Sequence, residues 1–151
     1  MDLSLRKELI KACENYLDSR VSMIRKAMDS LKDDLDNESK SSAGDKYETG
    51  REMINIEWNK LSVQLNEYDR LRQILHRIEE HSPNGNVMLG SIVKTDVANY
   101  FISIPAGEIK SEKDKFYAIG IKSPIAQVLL GKKVDEEVNF NKKTFKIESV
   151  I

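Results

Sequence analysis

SSAGDKYETGRE, residues 41–52, separates two long segments with regularly spaced apolar residues. The stretch contains residues that favour a turn, such as Ser42 and Gly44. Asp45 and Glu48 are three residues apart, so on a helix that begins near Asp45 the two side chains would share one face of the first turn. The stretch therefore predicts the closed end of a helical hairpin that presents two carboxylates.

The flanking segments carry apolar residues at steps of three and four, the spacing of a helix that packs lengthwise on another. We call these positions the seam. In the first segment they are Ile10, Cys13, Leu17, Val21, Ile24, Met28, Leu31 and Leu35. In the second segment they are Ile54, Trp58, Leu61, Leu65, Tyr68, Leu71, Leu75 and Ile78. Because the two sets can be paired in antiparallel register, we expect an antiparallel coiled coil over residues 1–81 with its tip at residues 36–53.

The segment SPNGN, residues 82–86, ends the helical pattern and is expected to be a linker, since Pro disfavours helix continuation and Asn-Gly favours a turn. A second, α+β domain is predicted over residues 87–151. Its predicted strands are 87–93, 99–104, 115–121, 137–140 and 144–151. A short helix is predicted between the third and fourth strands, with Ser123 as N-cap, Pro124 at the first helical position and Gly131 just past its end.

The composition is that of a globular chain, with 151 residues, 40% of them hydrophobic and 32% charged. No apolar run is long enough to span a membrane, and the amino terminus is charged from Asp2 onward, so the cytoplasm is the expected location.

The single cysteine, Cys13, is expected to be buried on the seam. Residues 1–81 carry 14 basic and 17 acidic residues, whereas residues 82–151 carry 10 and 8, so acid is concentrated in the helical half.

Asp45 and Glu48 have two compatible interpretations. Asp at the N-cap and Glu three residues later form a capping box, which satisfies the first free amides of a helix. The same pair could bind a cation, but Mg²⁺ takes six ligands, so a partner would have to supply most of the site. His76 and His81 are five residues apart, off a common helical face, and do not indicate a zinc site. The sequence contains no motif for a self-contained active site.

Two motifs resemble the Gre transcript-cleavage factor family of bacterial RNA polymerase. One is Gly44-Asp45-Lys46-Tyr47-Glu48 at the tip. The other is IGIKSPIAQVLLGKK, residues 119–133, followed by the final strand FKIESVI. The resemblance covers nearly the whole chain and implies an α+β architecture with an N-terminal antiparallel α-helical coiled-coil hairpin. An FKBP-like antiparallel sheet domain with one short helix would follow the hairpin.

The resemblance implies that the coiled coil enters the secondary channel of RNA polymerase, where backtracked RNA extrudes its 3′ end. Asp45 and Glu48 would help to hold a Mg²⁺ shared with the polymerase, whose own active site hydrolyses the RNA. The chain would then be no enzyme itself and would have no cofactor of its own. Ser123 and Pro124 would bind the polymerase at the channel entrance, and the partners would be the polymerase and the nascent RNA 3′ end.

The tip departs from the family pattern at Lys46-Tyr47 and at Thr49-Gly50-Arg51-Glu52. Tyr47 could stack on an RNA base, and Lys46 or Arg51 could contact phosphate; the alternative is that all three are solvent-exposed turn residues. The departures leave open a non-catalytic factor that binds the same channel and inhibits or modulates transcription. A more distant alternative is a prolyl isomerase or peptide-binding domain.

Overall fold

The computed structural model describes residues 2–39, 44–112 and 114–151, and for residues 2, 38–39 and 44–48 it describes the backbone only. The chain is α+β, as the sequence predicts. The elements in chain order are α1 (Asp2–Ser39), α2 (Gly44–Glu80), β1 (Ile92–Thr95), β2 (Asn99–Ile102), β3 (Gly107–Ser111), β4 (Asp114–Ile119), α3 (Pro124–Leu129), β5 (Glu137–Phe140) and β6 (Lys143–Val150).

Both long helices extend into the stretch that the sequence assigns to the tip. α1 continues to Ser39 and α2 begins at Gly44, so much of the predicted tip, residues 36–53, has a helical backbone. Gly50 lies inside α2 without ending it. A single glycine costs a helix about 1 kcal/mol, which the neighbouring turns of a long helix can offset.

The seam is confirmed as the covered face of both helices. Every seam residue is buried or partly buried except Trp58, whose side chain is 37% exposed and therefore less covered than the prediction implies. Residues Leu17–Arg70 form one compact unit, the helical unit, whose described residues belong only to α1 and α2. Ile24 on α1 is 7% exposed and Leu61 on α2 is 9% exposed, so the two helices cover each other there.

A second compact unit, the sheet unit, combines Met1–Tyr16 with Leu71–Ile151. Its six strands are ordered β3-β4-β2-β1-β6-β5, and every neighbouring pair is antiparallel except β2 with β4, which is parallel. The predicted linker at 82–86 follows the end of α2, but the sheet unit includes the first turns of α1 and the last turns of α2. The predicted division at residues 82–86 into separate domains stays a prediction.

The sequence missed strand β3 and placed the start of β1 five residues too early. β3 is an edge strand in which Glu108 and Lys110 are exposed and Ile109 is the one large apolar residue, so it has little of the apolar alternation typical of a strand. Before β1, Gly90 has a φ of +93°, a backbone conformation that interrupts extended structure.

One face of the sheet packs against the helix ends within the sheet unit. Ser111 on β3 donates a hydrogen bond to the Glu8 carboxylate of α1. Cys13 Sγ lies 3.8 Å from Ser103 Oγ. The residues of this layer that are at most 1% exposed include Leu9, Cys13, Ile92, Phe101, Phe116 and Ala118. Leu9 lies outside the predicted seam, which is defined only by the packing of one helix on the other. In the sheet unit, α1 also packs against the sheet, and Leu9 is buried there.

The opposite face of the sheet packs against α3. Its buried cluster contains Ala126 and Leu129 of α3 together with Val87, Val93, Ile102, Val138, Phe145 and Ile147. Val87 precedes β1, and the other strand-side residues come from β1, β2, β5 and β6. Tyr100 of β2 and Ile119 of β4 are partly buried against this cluster, so it extends to the start of the β4–β3 side of this sheet face.

Candidate functional site

The tip pair lies at the start of α2. Asp45 and Glu48 fall within the first two turns of the helical backbone, and their spacing keeps the two positions on one face. Their side chains, and those of Lys46 and Tyr47, lie outside the described residues. The predictions that the pair caps α2 and shares Mg²⁺ therefore stay predictions.

Two charged residues, Arg51 and Glu52, follow the tip pair on α2 and are exposed. Glu52 is exposed and is separated by seven residues from Asp45 and by four from Glu48, so it shares their helical face. From the sequence, Glu52 is named only as a departure from the family pattern and is not placed with the pair, because that needs a helix continuous through Gly50. Arg51, a candidate phosphate contact, is also exposed on α2, three residues from Glu48 and therefore adjacent to it on the helix surface.

The second candidate surface surrounds the start of α3. Ser123 is the N-cap, as predicted: its hydroxyl donates to the Gly120 carbonyl at 2.8 Å and accepts from the Ala126 amide at 3.3 Å. Pro124 is at the start of the helix and is exposed. The Gln127 amide donates to the Ile121 carbonyl at 2.6 Å and so fixes the approach to the helix.

The exposed residues of this approach form a mixed surface, which we call the Ser-Pro surface: Ile121, Lys122, Pro124 and Gln127. Ile121 is 39% exposed although it is a large apolar residue. An exposed apolar side chain beside a lysine and a rigid proline is suited to contact with another protein. The two hydrogen bonds of the Ser123 hydroxyl fix the backbone that carries these exposed side chains.

The described residues contain no group of three His, Cys, Asp or Glu side chains arranged to hold a metal ion. His76 and His81 are both exposed, and His81 Nδ1 lies 3.1 Å from the carbonyl oxygen of Arg77 in the last turn of α2. Burial raises the pKa of the Cys13 thiol to about 11, so this side chain is protonated and unreactive at neutral pH.

No family model matches the chain, and no curated protein matches it. Among the described residues, none of the helices combines the length and the apolar character that crossing a bilayer requires. The candidate surfaces therefore rest on the motifs of the chain itself and on the geometry given above.

Proposed function

We propose that this protein is a transcription elongation factor that enters the secondary channel of bacterial RNA polymerase and stimulates cleavage of backtracked RNA. The observation that carries the proposal is the position of Gly44-Asp45-Lys46-Tyr47-Glu48 at the start of α2, a helix of 37 residues. At about 1.5 Å per residue such a helix is on the order of 55 Å long. A narrow support of this length can carry two carboxylates into a deep channel.

The chemistry assigned to the tip is assistance to a metal site held mainly by the polymerase. Asp45 and Glu48 would supply carboxylate oxygens to a shared Mg²⁺, and the polymerase and an RNA phosphate would supply the remaining ligands. The protein would have no enzymatic activity or cofactor of its own. Lys46, Tyr47 and Arg51 would contact the RNA 3′ end, the lysine and arginine through phosphate and the tyrosine through a base.

The Ser-Pro surface would bind the polymerase at the channel entrance. Its support is the N-cap geometry of Ser123, which holds Pro124 exposed at the start of α3. The motif around these residues is the more specific of the two that resemble the Gre family. A cytoplasmic location follows from the proposal, because the polymerase acts there.

The test is RNA cleavage in stalled, backtracked elongation complexes supplied with Mg²⁺. We expect the wild type to accelerate cleavage and Asp45→Asn/Glu48→Gln to lose at least about tenfold of that acceleration, because both metal-binding charges are removed. Glu57→Gln is the matched control, since Glu57 is exposed on α2 but lies on a different face from the pair. Absence of stimulation by the wild type would contradict the proposal.

A second candidate function is non-catalytic binding in the same channel, favoured by the substituted tip residues Lys46, Tyr47 and Thr49. Such a factor would inhibit or modulate transcription by occupying the channel. Its effect would survive Asp45→Asn/Glu48→Gln, whereas cleavage stimulation would not. Measuring polymerase binding and transcript yield with the same variants separates the two functions.

A further inference from the structure

The half of the sheet that α3 leaves uncovered has an unusual composition. One row across the sheet, in register, runs from Val93 on β1 through Tyr100 on β2 and Tyr117 on β4 to Glu108 on β3. Along this row Val93 is buried, the two tyrosines are partly exposed and Glu108 is exposed. The open half therefore begins at the tyrosines, beside the cluster that α3 covers.

The two tyrosine rings lie side by side at the boundary of this open half, with Tyr100 packed against the cluster that α3 covers. Their centroids are 6.2 Å apart with an angle of 39° between the ring planes. Burial, with a smaller contribution from Tyr117, raises the pKa of Tyr100, so its phenol is neutral at physiological pH. The Lys115 ammonium lies 5.8 Å from the centroid of the Tyr117 ring, within range of a cation–π contact.

Positive charge adjoins the rings. Lys110 on β3 is directly opposite Lys115 on β4, and like charges in directly opposed positions destabilise a sheet. Glu108 offsets this only in part, because its carboxylate is 3.9 Å from the Lys115 ammonium and both side chains are about half exposed. A local arrangement that costs stability and is offset only in part within the protein is typical of a binding surface.

Partly exposed aromatic rings beside two lysines whose charge is only partly offset have the chemistry that recognises single-stranded nucleic acid. Bases of any sequence stack on aromatic side chains, and ammonium groups contact the phosphates. An open sheet face is suited to such a strand, whereas a small molecule is usually bound in a concave pocket. Phe116 and Ile109 point to the opposite, covered face, so the rings are presented by strands that are anchored in the core.

We propose that Tyr100, Tyr117, Lys110 and Lys115 form a binding surface for single-stranded RNA, which we call the tyrosine–lysine face. A base would stack on Tyr117, and the flanking phosphates would lie against the two lysines. Tyr100 would support the Tyr117 ring from the core side. The surface lies entirely in the sheet unit and needs no polymerase, so this inference is independent of the proposed function and of the tip carboxylates.

Binding of the whole protein to a short, fluorescently labelled single-stranded RNA, followed by anisotropy over a range of salt concentrations, tests the surface. We expect Tyr117→Leu, which keeps an apolar side chain but removes the ring, to weaken binding about fivefold or more. Tyr117→Phe retains the ring and should bind like the wild type. Circular dichroism of each variant establishes that the sheet is intact.

The lysines have a matched control in the same unit. Lys110→Gln/Lys115→Gln should weaken binding and lower the slope of log affinity against log salt by about 1 to 2, as two phosphate contacts are lost. Lys133→Gln/Lys143→Gln removes two exposed lysines elsewhere in the sheet unit and should leave binding unchanged. Equal losses from both lysine pairs would reveal general electrostatic attraction and overturn the proposal.

Two further results would also overturn it: no binding of RNA by the wild type, or unchanged binding by Tyr117→Leu. The same binding measurement is made with a DNA strand of the same sequence and, separately, with heparin. Equal affinity for RNA and DNA supports stacking and phosphate contact as the common chemistry. Preferential binding of heparin, which has no bases to stack, contradicts the proposal.

Discussion

Arg6 of α1 donates a hydrogen bond to the carbonyl oxygen of Gly90, which is 84 residues later in the chain, at 2.5 Å. The same guanidinium donates to the carbonyls of Ile78 at 2.8 Å and His81 at 3.2 Å. Ile78 lies in the last turn of α2 and His81 directly follows the helix, where carbonyl oxygens have no helical N–H group to accept from. Burial lowers the pKa of Arg6, but an arginine stays protonated at neutral pH, so the bonds are charge-assisted.

Gly90 is predicted to tolerate substitution less well than Gly85. Both have a positive φ, +93° and +101°, so alanine strains the backbone at either position by about 1 kcal/mol. A Cβ at Gly90 would also lie 2.9 Å from Arg6 Nη2, whereas at Gly85 it would meet nothing within 4 Å. Gly90→Ala should therefore lower the free energy of unfolding in urea by about 1–2 kcal/mol more than Gly85→Ala.

The same comparison in an Arg6→Met background tests whether the additional loss of stability in Gly90→Ala is due to its contact with Arg6. Removing the guanidinium removes the close contact, so the difference between the two alanine variants should shrink. If Gly90→Ala and Gly85→Ala cost equal stability in the wild-type background, Arg6 does not restrict Gly90.

Cys13 is predicted to make unfolding depend on pH in the alkaline range. Its side chain is fully buried, and burial raises the pKa of the thiol from 9.0 to about 11. Below pH 9 the thiol is protonated in both states, and between pH 9 and 11 only the unfolded state loses the proton. Stability should therefore fall as pH rises through this window, by about 1 kcal/mol per pH unit.

Cys13→Ala isolates this contribution, since lysines and tyrosines titrate in the same range in both proteins. The variant should lose stability near neutral pH through the lost packing, but its unfolding free energy should fall less steeply between pH 9 and 11 than that of the wild type. Urea unfolding at several pH values gives both slopes. If the unfolding free energies of the two proteins fell equally with pH, the thiol would have the same pKa in the folded and unfolded states, which would contradict the prediction.

Lys142→Gly is predicted to stabilise the β5–β6 hairpin. Asn141 and Lys142 connect these strands, and both have a positive φ, 53° and 67°, as in a two-residue type I′ turn. Asparagine adopts this conformation readily, but lysine is strained in it by about 1 kcal/mol. Thermal unfolding should show a higher midpoint for Lys142→Gly. Lys143→Gly, in the paired part of β6, should lower the midpoint.

The sequence predicts the elements whose signals are local. Heptad spacing defined α1 and α2, and the Ser123-Pro124 start with a following Gly131 defined α3, because capping chemistry is contained within a few residues. β5 has the predicted bounds for the same reason: the Asn-Lys turn that follows it marks its end. The prediction for β3 failed because this edge strand has only one large apolar residue, Ile109, which packs on the covered face of the sheet. Such a strand lacks the repeated apolar alternation by which a strand is recognised in a sequence.

The contacts that sequence spacing could not predict join distant residues. Arg6 reaches carbonyls more than 70 residues away, and a positive charge on α1 carries no indication of that partner. Tyr100 and Tyr117 meet only because β2 and β4 pair in parallel, although the sequence suggested antiparallel neighbours. For the candidate site, the sequence identified the Ser123 cap correctly, whereas the roles of Asp45 and Glu48 stay predictions.

Ser123 and Pro124 are predicted to have separable roles, one structural and one in polymerase binding. Ser123→Ala removes the acceptor for the Ala126 amide and the donor to the Gly120 carbonyl, and should lower the unfolding free energy by about 1 kcal/mol. Ser123→Asp restores the acceptor and should recover part of the loss.

Pro124→Ala leaves the Ser123 hydrogen bonds in place, since alanine is also compatible with the first helical position, and should change stability by less than about 1 kcal/mol. If the Ser-Pro surface binds the polymerase, Pro124→Ala should weaken that binding because the proline is exposed. Unfolding in urea and a polymerase pull-down, both applied to the two variants, give the comparison. Polymerase binding that follows stability in both variants would mean that α3 contributes only to the fold, and not to the interface.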